Sequence, residues 1–221
     1  MIDSLLSHIA PHYCSGCGKQ GTLLCDNCKY NITSEIFAGC IVCGGINTRH
    51  GALCRACHEP YVRGWCVGER VDVLKSLIDG YKFQNMKAAY CVLGELLSVQ
   101  LGQLPSSTII VPVPTVPSHI RERGYDHTLL IARFIAKKYH LQLNHSLYRV
   151  TRTKQREASR RDRFKQASVA FSSKPLPSSG PYLLIDDVIT TGATLRYGAK
   201  ALQDAGAEEI WAAVIARQPL D

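Results

Sequence analysis

The chain has 221 residues, of which 46% are hydrophobic and 20% charged, and its formal net charge is +8 at pH 7. This composition is typical of a globular protein and excludes a disordered or a fibrous one. No run approaches the roughly 20 apolar residues of a membrane helix, and the first residues lack the pattern of a signal peptide. We therefore expect a cytoplasmic protein. Its positive charge suits nucleic acid, phosphorylated ligands or an anionic membrane surface, and equally fits solvated lysines and arginines.

Cysteines dominate the first quarter of the chain. Eight of the ten lie between residues 14 and 57 as four C-x-x-C pairs, in an internal repeat whose two halves begin alike. A C-x-x-C turn directs two thiolates to one point, and two such turns complete a tetrahedral zinc site that is closed to solvent and therefore structural. The pattern predicts two zinc ions, bound by Cys14, Cys17, Cys25, Cys28, Cys40, Cys43, Cys54 and Cys57.

The spacing leaves open whether each zinc site forms within one repeat or between the two. Redox chemistry is the alternative to zinc, but four regularly spaced pairs fit it poorly. The segment has few large apolar side chains, so metal binding should supply its folding free energy. Cys66 and Cys91 lie outside the repeat, and we expect them to be small buried hydrophobic residues.

From Trp65 onward strands and helices alternate, which predicts an α/β domain with a mostly parallel sheet flanked by helices. The boundary divides the chain into a zinc-ribbon module, residues 1–62, and a larger domain, residues 63–221. In the larger domain periodicity predicts three helices and, between the second and third, a buried strand stopped by prolines. These elements are expected at residues 71–81, 86–104 and 127–140, with the strand at 108–114.

The most informative segment follows a second apolar strand, Tyr182–Ile185. The strand ends in Asp186 and Asp187, and a turn rich in threonine and glycine leads into a helix that continues to Gln203. Such a turn presents backbone N–H groups and hydroxyls to one point at a helix N-terminus, which is an anion site. The two carboxylates can accept hydrogen bonds from ribose hydroxyls and influence a Mg²⁺ ion on a pyrophosphate group.

The segment from Leu183 to Leu195, LLIDDVITTGATL, resembles the loop of type I phosphoribosyltransferases that binds phosphoribosyl pyrophosphate (PRPP). The whole chain resembles the ComF family, in which a zinc ribbon precedes a phosphoribosyltransferase-like domain. The family's lysine and phenylalanine appear as Lys82 and Phe83. Its arginine-rich turn appears as residues 121–127, RERGYDH, where the usual ending is Phe-Asn-Gln.

The resemblance implies a type I phosphoribosyltransferase fold and the residues that contact PRPP with Mg²⁺. Asp186 and Asp187 would be the catalytic residues, which stabilise the positive ribose, and no residue is an obvious general base. Because guanidinium groups match phosphate oxygens, arginines would hold the pyrophosphate. The implied PRPP contacts are Asp186, Asp187, Thr190, Thr191, Gly192, Ala193, Thr194, Pro114, Thr115, Arg121 and Arg123. For Arg121 and Arg123, solvent or nucleic acid is the alternative partner.

A basic tract at residues 149–163 has no apolar period and is predicted to be a mobile loop. In type I transferases a loop of this kind closes over the reaction centre, and the resemblance places Gln155 and Arg161 within it. The tract suits DNA equally well, because lysines and arginines give sequence-independent affinity and aromatic rings stack on bases. The candidate DNA contacts are Arg152, Lys154, Arg156 and Arg161, with Tyr81, Phe83 and Tyr125 as stacking or core residues.

Two functions follow from these interpretations. In the first, a ComF-like competence protein binds PRPP or a related phosphosugar and single-stranded DNA during DNA uptake in natural transformation. Its partners would be a DNA-uptake helicase or a membrane channel, which would place it at the inner face of the membrane. In the second, the chain is an active phosphoribosyltransferase of nucleotide metabolism. The DNA-uptake role is implied by family resemblance alone.

Overall fold

The computed structural model describes residues 12–34, 37–45, 50–150, 171–176 and 180–219. Most of the basic tract lies outside these ranges, including Gln155 and the candidate DNA contacts Arg152, Lys154, Arg156 and Arg161. Among the described residues, no helix is long and apolar enough to cross a membrane.

A five-stranded parallel sheet forms the centre of the molecule, in the order β1-β7-β6-β2-β3. Its central strands β2, β6 and β7 are mostly apolar and buried, as expected for a parallel sheet that is covered on both faces. A separate antiparallel pair, β4 with β5, packs beside it. The strands are β1 Arg63–Glu69, β2 Ile109–Pro112, β3 Gln142–Leu143, β4 Leu147–Arg149, β5 Phe171–Ser173, β6 Pro181–Ile189 and β7 Glu209–Arg217.

Helices cover the two faces of the sheet. On one face α2, α3 and α5 bury their apolar stripes against side chains such as Leu183 and Ile185. On the other face α6 packs against Tyr182 and Leu184, since successive side chains of a strand point to opposite faces. The helices are α1 Asp26–Thr33, α2 Asp72–Phe83, α3 Ala89–Leu101, α4 Pro117–Arg123, α5 His127–Tyr139 and α6 Ala193–Asp204.

This architecture confirms the expected α/β class, with small shifts at the element ends. The sequence placed both aspartates just after a strand, whereas β6 continues through them to Ile189 because β7 pairs with it as far as Ile189 with Arg217. The arginine-rich turn starts in helix α4, which begins with a proline and ends at Arg123, and Gly124 follows it with a φ of 76°. Proline suits the first helical position and glycine the left-handed residue after the helix.

The cysteine segment repeats one local geometry. In each half, the glycine after the first pair has a positive φ, 72° at Gly18 and 74° at Gly44. Each glycine donates its N–H to the carbonyl of the first cysteine of the pair, at 2.9 Å for Cys14 and 2.8 Å for Cys40. The left-handed conformation closes the turn that brings two thiols together, and glycine adopts it without a steric penalty.

Candidate functional site

A polar cleft of about 220 Å³ opens where β2 and β6 end. After β2 and the short helix α4, α5 packs on one face of the sheet, whereas α6, which follows β6, packs on the other. Such a switch between adjacent parallel strands is where open α/β sheets bind their ligands. The cleft is lined by Lys82, Val113, Pro114, Thr115, Val116, His119, Arg123, His127, Thr128, Arg149, Asp186, Asp187, Val188 and Thr194.

Asp187 is held by two basic side chains. Its Oδ2 lies 2.8 Å from Nζ of Lys82, at the end of α2, and 2.5 Å from Nε2 of His127, at the start of α5. All three side chains are largely buried. Burial works against ionisation, but the contacts with His127 and Lys82 outweigh it and hold the pKa of Asp187 well below its ordinary value.

Asp186 has the opposite environment. Burial and the neighbouring charge of Asp187 raise its pKa to about 7, against the weaker influence of the Asp187 backbone N–H, which donates to Asp186 Oδ1 at 2.8 Å. The cleft therefore holds one firmly ionised carboxylate and one that gains or loses its proton near neutral pH. Pairs of titratable groups with divergent pKa values are typical of functional sites.

The turn that departs from the family pattern has definite roles in this structure. Nη1 of Arg123 lies 2.9 Å from Nδ1 of His127. Because a guanidinium has no acceptor, Nδ1 must accept this hydrogen bond, so Nε2 carries the proton that points to Asp187. Asp126 caps α5 by accepting the N–H of Leu129 at 3.0 Å and also accepts the Thr115 hydroxyl at 2.8 Å. The turn therefore fixes both His127 and Thr115.

Arg149, at the end of β4, forms the opposite wall. Its Nε donates to the carbonyl of Pro114 at 2.7 Å, and its guanidinium lies 4.6 Å from the centre of the Phe171 ring. Burial lowers the pKa of Arg149, while the charge of Asp186 acts to raise it. The side chain is thus a fixed cation that links the β4–β5 pair to the loop after β2.

The turn between β6 and α6 has the form expected of an anion site. Gly192 has a φ of 74°, and α6 begins at the next residue. The first N–H groups of a helix have no partner in the helix backbone, and Thr194, in this first turn, lines the cleft. Thr191 Oγ1 accepts the N–H of Ala193 at 3.4 Å, and Thr190 and Thr191 are exposed.

The structure brings most of the predicted contacts together. Asp186, Asp187, Thr194, Pro114, Thr115 and Arg123 line one cleft. Arg121 does not line this cleft and lines an adjoining one instead.

The sequence marked Lys82 and His127 only as residues of the family motifs, and it predicted Arg149 as the start of a mobile loop. Arg149 is instead the last residue of β4 and is held by the carbonyl of Pro114. The sequence could not predict that these three side chains line one cleft, since this depends on contacts between distant parts of the chain.

The eight cysteines form two clusters, one from each repeat. In each cluster the four Sγ atoms lie within 4.8 Å of one another, and the chain thus pairs its cysteines within the repeats. Four thiols in this arrangement fit a tetrahedral zinc site, because zinc prefers sulfur ligands in such sets. Zinc bound there would supply a cross-link between the two turns of each repeat. The ligands are Cys14, Cys17, Cys25 and Cys28 in one site and Cys40, Cys43, Cys54 and Cys57 in the other.

Without metal, the thiols of each cluster differ in acidity. Burial acts to raise the pKa of Cys14, but N–H donors outweigh it, notably that of Cys25 at 3.3 Å, and lower the pKa to about 6. The pKa of Cys54 is lowered to about 7, chiefly by contacts with Cys57 and Cys43. The pKa of Cys28 is raised by contacts with the neighbouring thiols and by burial, and that of Cys57 by burial and by contacts with its neighbouring thiols. Metal ligands must be deprotonated, so metal binding would release protons from these thiols.

Residues 132–221 match the model of the phosphoribosyl transferase domain family. With the parallel sheet, the switch-point cleft and the loop before α6, this defines a protein with a type I phosphoribosyltransferase fold and a four-cysteine module before it. The solved orotate phosphoribosyltransferase of Aeropyrum pernix is 19% identical, with a TM-score of 0.41 over 65% of this chain and 64% of its own.

Comparison with curated proteins places the chain more narrowly within the proteins that have this fold. Competence protein F of Haemophilus influenzae is 32% identical over 85% of this chain and 87% of its own length. Competence protein ComFC of Bacillus subtilis is 25% identical over 85% of this chain and 81% of its own. The chain belongs to this family of competence proteins, ComF and ComFC.

Proposed function

We propose that the cleft binds PRPP, or a related phosphosugar, together with Mg²⁺. The observation that carries this proposal is the pair of buried aspartates with divergent pKa values, which share a cleft with Lys82, Arg123 and Arg149 and with the first turn of α6. The ribose hydroxyls would donate to Asp186 and Asp187. The 5′-phosphate would lie on the turn of Thr190, Thr191, Gly192, Ala193 and Thr194.

The basic side chains of the cleft fit the other end of such a ligand. Arg123 and Lys82 line the same cleft as Pro114 and Thr115, in the loop after β2. Arg149 donates a hydrogen bond to the carbonyl of Pro114 in this loop. Several fixed cations around a small polar cleft stabilise a pyrophosphate group by charge and by donated hydrogen bonds. Mg²⁺ on the pyrophosphate would offset the remaining negative charge.

Isothermal titration with PRPP and Mg²⁺ tests this proposal. Binding is expected for the natural chain and is expected to be lost in the double variant Asp186→Asn with Asp187→Asn, which keeps the shape but not the charge. Ribose 5-phosphate serves as a second ligand, because it lacks the pyrophosphate and should bind more weakly. Equal binding of PRPP by the natural chain and the double variant would contradict the proposal.

We further propose that the protein acts in DNA uptake during natural transformation and binds single-stranded DNA. The names of its curated relatives and its basic tract support this role. The DNA contacts would be Arg152, Lys154, Arg156 and Arg161, and a DNA-uptake helicase or membrane channel would be the partner at the inner face of the membrane. The zinc module, residues 1–62, would be structural, and the domain from residue 63 would carry the ligands.

Single-strand binding should weaken with salt, because it releases counterions from phosphates. Reversing the charge of Arg152, Lys154 and Arg156 is expected to lower the affinity and flatten the salt dependence. A control variant with glutamine at the same three positions removes their positive charge without adding negative charge. It therefore separates the loss of attraction from the repulsion that charge reversal adds. Affinity that is unchanged by both sets of substitutions would argue against these contacts.

An active phosphoribosyltransferase, a glycosyltransferase of pentosyl groups, is the second candidate. In its reaction the bond from ribose C1 to pyrophosphate breaks and a bond from C1 to an acceptor forms, through positive charge on the ribose that Asp186 and Asp187 would stabilise. The same loop and aspartates favour it. Pyrophosphate release is the test: a panel of bases and amines that gives no turnover would exclude this candidate.

A further inference from the structure

The cleft at the ends of β2 and β6, for which we propose PRPP binding, is called the phosphosugar cleft below. A second cleft, of about 420 Å³, lies beside it between the end of α2 and α4. Lys82 and Arg123 line both clefts, so ligands in the two would be neighbours. Its volume is in the range of small-molecule sites. It is lined by Lys82, Phe83, Asn85, Arg121, Glu122, Arg123, Gly124 and Tyr125.

Phe83 is the exceptional side chain of this cleft. Its neighbour Tyr81 is fully buried in the core, whereas Phe83 is 66% exposed and lies off the apolar stripe of α2. The guanidinium of Arg123 lies 5.5 Å from the centre of its ring, which leaves much of the ring open to solvent.

Of the three aromatic residues that the sequence offered for base stacking, the other two belong to the fold. Tyr81 and Tyr125 stack on each other, and the hydroxyl of Tyr125 donates to the carbonyl of Tyr81. Both rings are buried. Phe83 is therefore the one of the three whose ring is exposed enough for a base to stack on it.

The polar groups around Phe83 match the remaining parts of a nucleotide. Arg121 is exposed and forms no ion pair with any described residue, so its guanidinium is available to a phosphate. Asn85 and Glu122 are also exposed and offer a donor and acceptors to the edge of a base. An open ring beside a cation is the combination that binds single-stranded nucleic acid.

We propose that this second cleft binds one nucleotide of single-stranded DNA, with the base stacked on Phe83 and the phosphate beside Arg121. This proposal rests on the binding of single-stranded DNA proposed above, and it places one DNA contact next to the bound phosphosugar. Arg121, which the family resemblance implied as a pyrophosphate contact, would then bind a DNA phosphate instead.

The test uses the full-length, zinc-loaded protein and a short 5′-phosphorylated deoxyoligonucleotide in which one base is 2-aminopurine, whose fluorescence falls on stacking. The natural chain is expected to quench the fluorescence. Phe83→Leu, which keeps the apolar bulk but removes the ring, should bind about tenfold or more weakly and without quenching. Phe83→Trp should retain both properties, and Arg121→Gln should weaken binding and lower its salt dependence.

PRPP titration of the same variants separates this proposal from the others. Phe83→Leu should bind PRPP like the natural chain, since Phe83 does not line the phosphosugar cleft. Salt-dependent DNA binding that is equal in the natural chain and Phe83→Leu would overturn the second cleft and leave the basic tract as the DNA site. If the natural chain bound no DNA, both DNA proposals would be overturned. The proposal that the first cleft binds a phosphosugar would still be tested separately, by the PRPP titration. A change of oligomeric mass in Phe83→Leu would instead identify Phe83 as a protein interface.

Discussion

Asp186 and Asp187 are adjacent in the sequence, yet the fold gives them different electrostatic environments. Asp187 meets Lys82 and His127, which come from two different helices. Asp186 meets no cation at ion-pair distance among the described residues, and the charges of Lys82 and Arg149 act to lower its pKa only from a distance. A free carboxylate in such a position is costly, and its binding of a proton, or of a ligand's hydroxyl donors, relieves that cost.

The environment of Asp186 predicts a pH dependence of stability. Its pKa is raised to about 7 in the folded chain. Its contribution to stability is therefore fully present below the unfolded pKa of about 4 and is lost as the pH rises through about 7. Asparagine does not titrate, so Asp186→Asn should lose less stability than the natural chain between about pH 5 and pH 8. Urea denaturation at each pH measures the difference.

Asp187→Asn is the matched control, because the pKa of Asp187 is shifted in the opposite direction from that of Asp186. The pKa of Asp187 is depressed, so its contribution is present above its unfolded pKa and is lost only as the pH falls toward the folded value. This variant also leaves the largely buried Lys82 without its carboxylate partner. It should therefore be less stable than the natural chain at neutral pH. Identical pH profiles for Asp186→Asn and the natural chain would contradict the assignment.

At the scale of elements, two helical glycines predict different outcomes for the same substitution. A Cβ at Gly94 in α3 would lie 2.3 Å from the Phe134 ring of α5, and one at Gly80 in α2 would lie 2.3 Å from the Met86 sulfur. A ring packed between helices cannot move aside as a methionine can. Gly94→Ala should cost about 1–3 kcal/mol despite the helix propensity of alanine, which favours it by up to about 1 kcal/mol.

Gly80→Ala supplies the comparison for this experiment. Both residues lie inside helices and are buried, so the gain in propensity is the same and only the neighbour differs. We expect a change near zero for Gly80→Ala in the free energy of unfolding, measured by denaturant titration. Equal costs at the two positions would show that the α3–α5 contact is not as tight as described.

The elements themselves were largely predictable, because amphipathic periods and β-branched runs are local signals. The helix at 127–140 and the strand at 108–114 correspond to α5 and β2 within a few residues. β1 gave no comparable signal. The meeting of Lys82 and His127 at Asp187 depends on how α2 and α5 pack across the sheet. Sequence periodicity fixes which face a helix buries but not which polar residue its end presents to another strand.

An ion pair between Glu59, which follows the second cysteine cluster, and Arg196, in the first turn of α6, predicts a coupling between these two parts of the chain. Arg196 donates to both carboxylate oxygens of Glu59, and the Glu59 side chain is 2% exposed. These contacts raise the pKa of Arg196. Arg196→Ala leaves the carboxylate buried without its partner, which should cost about 1–3 kcal/mol.

A double-mutant cycle isolates this coupling. Adding Glu59→Gln to Arg196→Ala removes the stranded charge, so the double variant should be more stable than Arg196→Ala alone. Chemical denaturation of the four proteins gives the interaction free energy. Additive effects of the two substitutions would show that the pair contributes nothing to stability.

At the scale of the whole molecule, the two cysteine clusters join the cores on opposite faces of one sheet. Leu23 and Leu24 of the first repeat pack in the same cluster as α2, α3 and α5. Ile41 of the second repeat packs in the cluster of α6, with Leu53 against it. The sheet thus packs on both faces against segments that we expect to need metal to fold, and metal binding should therefore contribute to global stability.

Removal of metal is therefore expected to destabilise the entire chain. Mass spectrometry of the folded protein should find two zinc ions, and one in Cys17→Ser or in Cys43→Ser, whereas Cys91→Ser, outside both clusters, should keep two. A strong chelator should lower the melting temperature of the whole protein in one transition. The reason is that the apolar residues of each repeat belong to the same hydrophobic cores as the sheet, so loss of metal removes them from these cores. Restored melting after zinc is added back would separate metal loss from damage. If the chelator removed both ions and left the melting of the sheet unchanged, the repeats would be separate folding units, and their contacts with the two cores would contribute little to its stability.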